Sequence, residues 1–188
     1  MFTIPNLLTL LRLFLVPCFL WASVERMYGV ALILFVTAAL TDVADGMLAR
    51  RLNQRSRLGA LLDPAADKLL MVSGYLFYTL STTLPVVRIP GWLTFTVFIR
   101  DFLIALVAYL LYTRVHVKRF PPSWAGKTST VLQAVALGMA VAVNAFIPSL
   151  VWLAQLFFRL ALAVTLYSSF DYLRRGERLL EGGASARA

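Results

Sequence analysis

Cysteine and charged residues are both scarce in this sequence. Cys18, which lies in an apolar run, is the single cysteine, and because a disulfide needs two, none can form within the chain. Only 14% of the 188 residues are charged, whereas 60% are hydrophobic. Such a composition excludes an ordinary soluble domain and suits helices that lie in a bilayer. Repeats, low-complexity tracts and linkers are also absent, so residues 1–180 are expected to form one domain, followed by a disordered tail over residues 181–188.

The few charges are mostly basic, with 18 lysines and arginines against 9 aspartates and glutamates. A net charge of +9 is compatible with nucleic-acid binding. The basic residues, however, cluster in short segments between apolar runs, where positive charge orients a membrane protein and attracts anionic headgroups. We therefore expect membrane lipid, and no nucleic acid, as the partner of these charges.

Six apolar runs are long enough to be transmembrane helices. They are Leu7–Val24, Tyr28–Ala49, Gly59–Leu80, Trp92–Thr113, Thr128–Ile147 and Leu150–Tyr172. Basic residues follow the second, fourth and sixth runs, whereas the other connections carry only Arg26 and Arg88. Because cytoplasmic loops are enriched in lysine and arginine, the sequence predicts an all-α integral membrane protein with six transmembrane helices and both termini in the cytoplasm. The short connection at Pro148 leaves a re-entrant pair as the alternative for the last two runs.

Four aspartates lie toward the cytoplasmic ends of the second and third runs. Asp42 and Asp45 are three residues apart and Asp63 and Asp67 are four apart, so in a helix each pair lies on one face. An aspartate at the centre of a membrane helix costs about 2.5–3.5 kcal/mol, so these carboxylates need cationic partners. Carboxylate oxygens in this number suit Mg²⁺ or Mn²⁺, and two such ions can clamp a diphosphate. The sequence therefore predicts a site for two divalent ions.

A simpler interpretation is that these aspartates form helix-end ion pairs with Arg50, Arg51 and Lys68. The neighbouring residues argue against it. The segment reads Asp42-Val-Ala-Asp45-Gly46-Met-Leu-Ala49-Arg50, then eight residues, then Gly59-Ala-Leu-Leu-Asp63-Pro-Ala-Ala-Asp67. It resembles the signature of the CDP-alcohol phosphatidyltransferase family, D-x2-D-G-x2-A-R-x8-G-x3-D-x3-D, at every defined position.

The resemblance implies an enzyme of phospholipid synthesis that transfers a phosphatidyl group from CDP-diacylglycerol to an alcohol and releases CMP. The four aspartates would hold the metal ions, and Asp67 would also be the catalytic general base. Glycines allow nucleotide or phosphate to approach the backbone, and arginine can fork onto phosphate oxygens. The CDP-binding residues implied by the signature and its loop are Gly46, Arg50, Ser56 and Gly59. Members of the family are typically homodimers, and we expect this chain in the bacterial inner membrane with its active site facing the cytoplasm.

The acceptor alcohol is indicated by residues outside the signature. The segment Pro5-Asn6-Leu-Leu-Thr9-Leu-Leu-Arg12 resembles the branch that contains phosphatidylglycerophosphate synthases and the cardiolipin synthases of eukaryotic type. Asp101 and Ser129 stand where the glycerophosphate enzymes often have glutamate and lysine, which favours phosphatidylglycerol as acceptor. Small bacterial members most commonly use sn-glycerol 3-phosphate, so that acceptor is the first expectation and phosphatidylglycerol the alternative. The candidate acceptor-binding cations, which suit plain membrane orientation equally well, are Lys127, Arg119 and Arg114.

Two other functional classes are weighed against this interpretation. Intramembrane prenyltransferases also bind diphosphates through paired aspartates, but their motifs usually lie far apart in chains with more spans. A Mg²⁺ transporter needs a polar path across the bilayer, whereas the outer halves of these runs are almost wholly apolar. Of the other intramembrane charges, Arg100 and Asp101 are expected to form a buried ion pair. Buried charges to which the sequence assigns no role are Arg12, Arg159 and Asp171.

Overall fold

The computed structural model describes the backbone of residues 4–52, 57–115 and 123–185, and the side chains of residues 10–42, 68–110, 113 and 123–177. This part of the chain is helical and contains no strand. Its α-helices are α1 (Ile4–Val24), α2 (Tyr28–Leu52), α3 (Arg57–Leu80), α4 (Gly91–Val115), α5 (Trp124–Ala145) and α6 (Val151–Ser185), and a 3-10 turn (Pro148–Leu150) precedes α6. The predicted all-α class is confirmed. The last helix continues beyond residue 180, where the sequence predicts the end of the ordered domain.

Three helical segments are long and apolar enough to cross a bilayer, namely Gly91–Leu110, Trp124–Ala145 and Pro148–Glu177. Three further apolar segments are shorter, namely Leu10–Val24, Tyr28–Asp42 and Lys68–Leu80. These shorter segments are the parts of α1, α2 and α3 whose side chains are described. The six spans and the orientation of the termini therefore stay predictions.

One compact unit comprises Met1–Ile89 and Leu137–Ala154. In it α1 packs on both α2 and α3. Phe19 is fully buried, and the centre of its ring lies 5.9 Å from that of Phe35 and 6.3 Å from that of Tyr78. Gly74 allows close helix packing, because a Cβ at this position would lie 2.6 Å from Leu137 Cδ2. This aromatic core holds the two helices that carry the aspartates against α1.

The second compact unit comprises Pro90–Ala136 and Gln155–Ala188. Its interior contains a hydrogen-bonded polar group. Gln133 Nε2 donates to Ser129 Oγ and to Thr165 Oγ1, both at 3.0 Å, and all three residues are buried. Ser123 caps the start of α5, because its Oγ accepts a hydrogen bond from Gly126 N at 2.9 Å. Bonds of this kind satisfy polar groups that have no water to contact in a bilayer.

Candidate functional site

Of the four predicted metal ligands, Asp42 has a side chain that the structure describes. It lies on α2, and its side chain is 45% exposed. Arg12 Nη1 on α1 lies 2.7 Å from Asp42 Oδ1, and the Arg12 side chain is fully buried. Among the described side chains, a cation that contacts Asp42 is therefore Arg12, which the sequence leaves without a role. The side chains of Arg50 and Arg51 lie outside the described residues, so their pairing with the aspartates stays an alternative.

Asp45, Asp63 and Asp67 lie on helical backbone, but their side chains are outside the described residues. α2 continues through position 45, and α3 begins at Arg57 and contains positions 63 and 67. The two spacings are therefore helical, as the sequence predicts. Among the side chains that are described, no three acidic, histidine or cysteine residues gather in a metal-binding group. The assembly of the four aspartates around metal ions stays a prediction.

The predicted CDP-binding residues also lie outside the described side chains. Gly46 and Arg50 are on the helical backbone of α2, and Gly59 is on that of α3. Ser56 falls in the connection between these helices, for which the backbone is not described. Their role in holding a nucleotide stays a prediction that rests on the signature.

The chemistry of Asp42 fits a divalent cation. A carboxylate carries two oxygens, which are the ligand type that Mg²⁺ and Mn²⁺ prefer, and Arg12 contacts Oδ1. Carboxylates that bind metals are themselves commonly held by a neighbouring hydrogen-bonding or charged group, and the buried arginine supplies such a group. Asp42 is also partly exposed, so its carboxylate is not fully enclosed by the described side chains.

Lys127 is the predicted acceptor-binding residue that the structure describes. It lies in the first turn of α5 and is exposed, and its Nζ lies 5.4 Å from the centre of the Trp124 ring. Trp124 is itself 83% exposed. A cation over an exposed indole is typical of residues at a membrane interface. Arg114 belongs to α4 with its side chain outside the described set, and Arg119 falls in the undescribed connection that follows.

Arg100 and Asp101 form the ion pair that the sequence predicts, in which Arg100 is buried and Asp101 is partly exposed. Arg100 Nη1 donates to Asp101 Oδ1 at 2.8 Å. Nη2 donates to Gly126 O at 3.2 Å and to Ser168 Oγ at 3.3 Å, and the guanidinium lies 5.9 Å from the centre of the Tyr172 ring. These partners lie on α4, α5 and α6, so Arg100 joins three helices of the second unit. Its contacts indicate a structural role.

The three charged residues that the sequence predicts to be buried differ in their exposure in the structure. Arg12 is buried and paired with Asp42. Arg159 is exposed on α6, so its predicted burial is wrong. Asp171 is partly exposed and pairs with Arg175 one helical turn away, at 2.9 Å. A signal for the role of Arg12 does exist in the sequence, because a lone arginine in an apolar run requires a partner of opposite charge.

Known proteins that resemble this chain agree with the signature. The family model described as CDP-alcohol phosphatidyltransferase matches residues 2–167. The CDP-diacylglycerol--glycerol-3-phosphate 3-phosphatidyltransferase of Shigella flexneri is 35% identical over 92% of this chain and 93% of its own length. The cardiolipin synthase (CMP-forming) of Rattus norvegicus is 33% identical over 96% of this chain and 64% of its own length. A provisionally named cardiolipin synthase of Mycobacterium tuberculosis is 40% identical over 68% of this chain, which spans 59% of that protein.

The family match covers most of the chain, and it includes the whole signature from Asp42 to Asp67. The apolar helices of both the sequence and the structure agree with a family of membrane enzymes. The protein is an integral membrane protein, and it belongs to the CDP-alcohol phosphatidyltransferase family.

Proposed function

We propose that this protein transfers a phosphatidyl group from CDP-diacylglycerol to an alcohol, in a reaction that depends on Mg²⁺ or Mn²⁺. The observation that carries the proposal is the complete aspartate signature on α2 and α3, in which Asp42 is partly exposed and held by the buried Arg12. The family match over residues 2–167 supports the same reaction class. The site would lie at the cytoplasmic face of a six-span homodimeric protein of the bacterial inner membrane.

The residues of the signature divide the chemistry between them. Asp42, Asp45, Asp63 and Asp67 would hold two divalent ions, which when bound supply positive charge to the diphosphate. Asp67 accepts the proton of the acceptor hydroxyl as a general base. The hydroxyl oxygen forms a bond to the lipid-side phosphorus, the bond from that phosphorus to the bridging oxygen breaks, and CMP leaves. The nucleotide would be held by the set Gly46, Arg50, Ser56 and Gly59.

The first candidate acceptor is sn-glycerol 3-phosphate, which gives phosphatidylglycerophosphate. The match to the Shigella flexneri glycerol-3-phosphate transferase supports it, because that match extends over 93% of the relative's length. A soluble acceptor with a phosphate needs cations at the cytoplasmic face. Lys127, which is exposed at the start of α5, would supply one of them, together with Arg119 and Arg114.

The second candidate acceptor is phosphatidylglycerol, which gives cardiolipin. Ser129 stands where glycerophosphate enzymes often have a lysine, and it is buried and hydrogen-bonded to Thr165 and Gln133. This position therefore offers no cation to an acceptor phosphate. The matches to relatives named as cardiolipin synthases also support phosphatidylglycerol as acceptor, with 40% identity for the mycobacterial protein.

The test is CMP release by the purified protein in detergent with CDP-diacylglycerol, offering sn-glycerol 3-phosphate and phosphatidylglycerol in parallel. Activity should disappear with a chelator, return with Mn²⁺ or Mg²⁺, and be lost in Asp67→Asn. Turnover with phosphatidylglycerol alone would replace the first candidate by the second. Full activity of Asp67→Asn, or activity that survives complete metal removal, would refute the proposed chemistry.

A further inference from the structure

We infer that Arg12 is a positioning residue for the metal site, which fixes the Asp42 carboxylate in the direction that binds a divalent cation. The inference rests on the proposed function, because it assigns to Asp42 the role of metal ligand. Its structural basis is the 2.7 Å contact between Arg12 Nη1 and Asp42 Oδ1, which joins α1 to α2. A residue from a helix outside the signature thus touches a side chain of the signature.

The burial of Arg12 restricts the conformations that its side chain can adopt. The side chain is fully enclosed, and Leu15 and Val16 one turn further along α1 are buried as well. A guanidinium enclosed in this way has few rotamers available, and leaving its charge unpaired is unfavourable. Asp42 is partly exposed, so without this partner its carboxylate has more freedom to rotate. The buried arginine is therefore the fixed member of the pair, and the aspartate is the member that it orients.

Two other arginine–aspartate pairs among the described residues differ from this one in position. Arg175 and Asp171 are one turn apart on α6, and the arginine side chain is 46% exposed. Arg100 and Asp101 are neighbours on α4, and Arg100 also contacts α5 and α6. In both of these pairs the arginine and the aspartate share a helix, and neither pair includes a residue of the signature. They provide matched controls, one with an exposed arginine and one with a buried arginine.

Removal of the Arg12 charge has two opposing consequences for an incoming cation. A positive charge close to a metal site repels the metal, so its loss alone would tighten binding. A partner that orients a ligand strengthens binding, and loss of such a partner commonly weakens metal affinity about 10–100-fold. The sign of the change in affinity therefore separates a positioning role from simple compensation of the Asp42 charge.

The experiment is a titration of the purified full-length protein in detergent with Mn²⁺, in which free Mn²⁺ is measured by electron paramagnetic resonance and no substrate is present. Arg12→Gln is expected to weaken binding of at least one Mn²⁺ by about 10-fold or more. Arg12→Lys should fall between this variant and the wild type, because an ammonium keeps the charge but lacks the planar fork. Arg100→Gln should lower the unfolding temperature without changing Mn²⁺ affinity, and Arg175→Gln should change neither.

The outcomes separate this inference from the proposed function. Unchanged Mn²⁺ binding in Asp42→Asn would show that Asp42 is not a ligand, and the metal chemistry proposed for it would fail. Weaker binding in Asp42→Asn together with unchanged or tighter binding in Arg12→Gln would overturn only the positioning role. If Arg12→Gln does not fold, Arg12→Lys decides the question, because wild-type Mn²⁺ affinity in that variant contradicts a role that depends on the shape of the guanidinium.

Discussion

Asn144 on α5 occupies both hydrogen-bonding positions of the Val87 backbone. Its Oδ1 accepts from Val87 N at 3.2 Å and also from Val86 N at 3.0 Å. Its Nδ2 donates to Val87 O and to Ala140 O, both at 2.8 Å. One buried amide therefore satisfies the backbone of the connection between α3 and α4, which has no helical partner for these groups.

Replacing Asn144 by leucine should destabilise the protein, because it leaves both polar groups of the buried Val87 without their partner and also removes the acceptor of Val86 N. We expect the free energy of unfolding to fall by about 2–4 kcal/mol. Asn144→Asp should also destabilise the protein, since it keeps the acceptor but sets a carboxylate oxygen against Val87 O and Ala140 O. Unfolding in detergent, followed by circular dichroism, measures the change. Thr37→Val is the control, because Thr37 is exposed and its hydroxyl donates to Ile33 O in its own helix. Equal stability of Asn144→Leu and Thr37→Val would contradict the prediction.

Gly126 is required by the close approach of Tyr172. A Cβ at this position would lie 2.6 Å from Tyr172 Oη and 2.9 Å from its Cε2, so Gly126→Ala forces the ring to shift. We expect a loss of about 1–3 kcal/mol in unfolding free energy, as for other overpacked sites. Gly91→Ala is the matched control, since no heavy atom lies within 4 Å of its Cβ position. A Gly126→Ala protein that unfolds at the same temperature as Gly91→Ala would show that this contact relaxes without cost.

Arg100 should tolerate no conservative replacement. Arg100→Lys keeps the positive charge, but one ammonium cannot reproduce the contacts to Asp101, Gly126 O and Ser168 at once. We expect the variant to lose about 2–4 kcal/mol of unfolding free energy, because the buried partners of the guanidinium are left unmatched. Arg175→Lys should stay within about 0.5 kcal/mol of the wild type, since exposed pairs contribute little. The comparison is made by chemical unfolding, and equal losses in the two variants would refute a structural role for Arg100.

The orientation of the chain can be tested with cysteine labelling. In a Cys18→Ala background, Thr82→Cys should react with a membrane-impermeant maleimide on intact bacteria, because its connection is predicted to face outward. Trp124→Cys should react only after permeabilisation, because the basic segment before α5 is predicted to be cytoplasmic. Both positions are exposed in the structure. The reverse labelling pattern would invert the topology and move the proposed active site to the opposite face.

The helices and the family could be predicted from the sequence because both depend on local information. Apolar runs of bilayer length predict helices, and each predicted run corresponds to one helix from α1 to α6, although α6 continues to Ser185, beyond the predicted end at Tyr172. The signature is contiguous, so Asp42, Asp45, Asp63 and Asp67 can be identified by spacing alone. The Arg100–Asp101 pair could be predicted as well, because its members are adjacent.

Contacts between residues that are far apart in the sequence could not be predicted from hydropathy or residue spacing. Among the described charges, the predicted burial is wrong for Arg159, which is exposed, and for Asp171, which is partly exposed. A run that is apolar overall does not show which face of its helix is exposed. The contact between Arg12 and Asp42 could not be predicted either, because the two residues lie on different helices. Other basic residues, such as Arg50, lie nearer to Asp42 in the sequence.

The sequence by itself determined the helical class, the family, and the residues that bear the proposed chemistry, because hydropathy and residue spacing along one chain carry that information. Tertiary structure alone decided that Arg12 is buried and contacts Asp42. It also decided that Asn144 bonds to the backbone of Val86 and Val87, and that Tyr172 closely approaches Gly126. Each of these contacts joins residues from separate elements, and such a contact exists only once the helices pack at a defined distance and rotation.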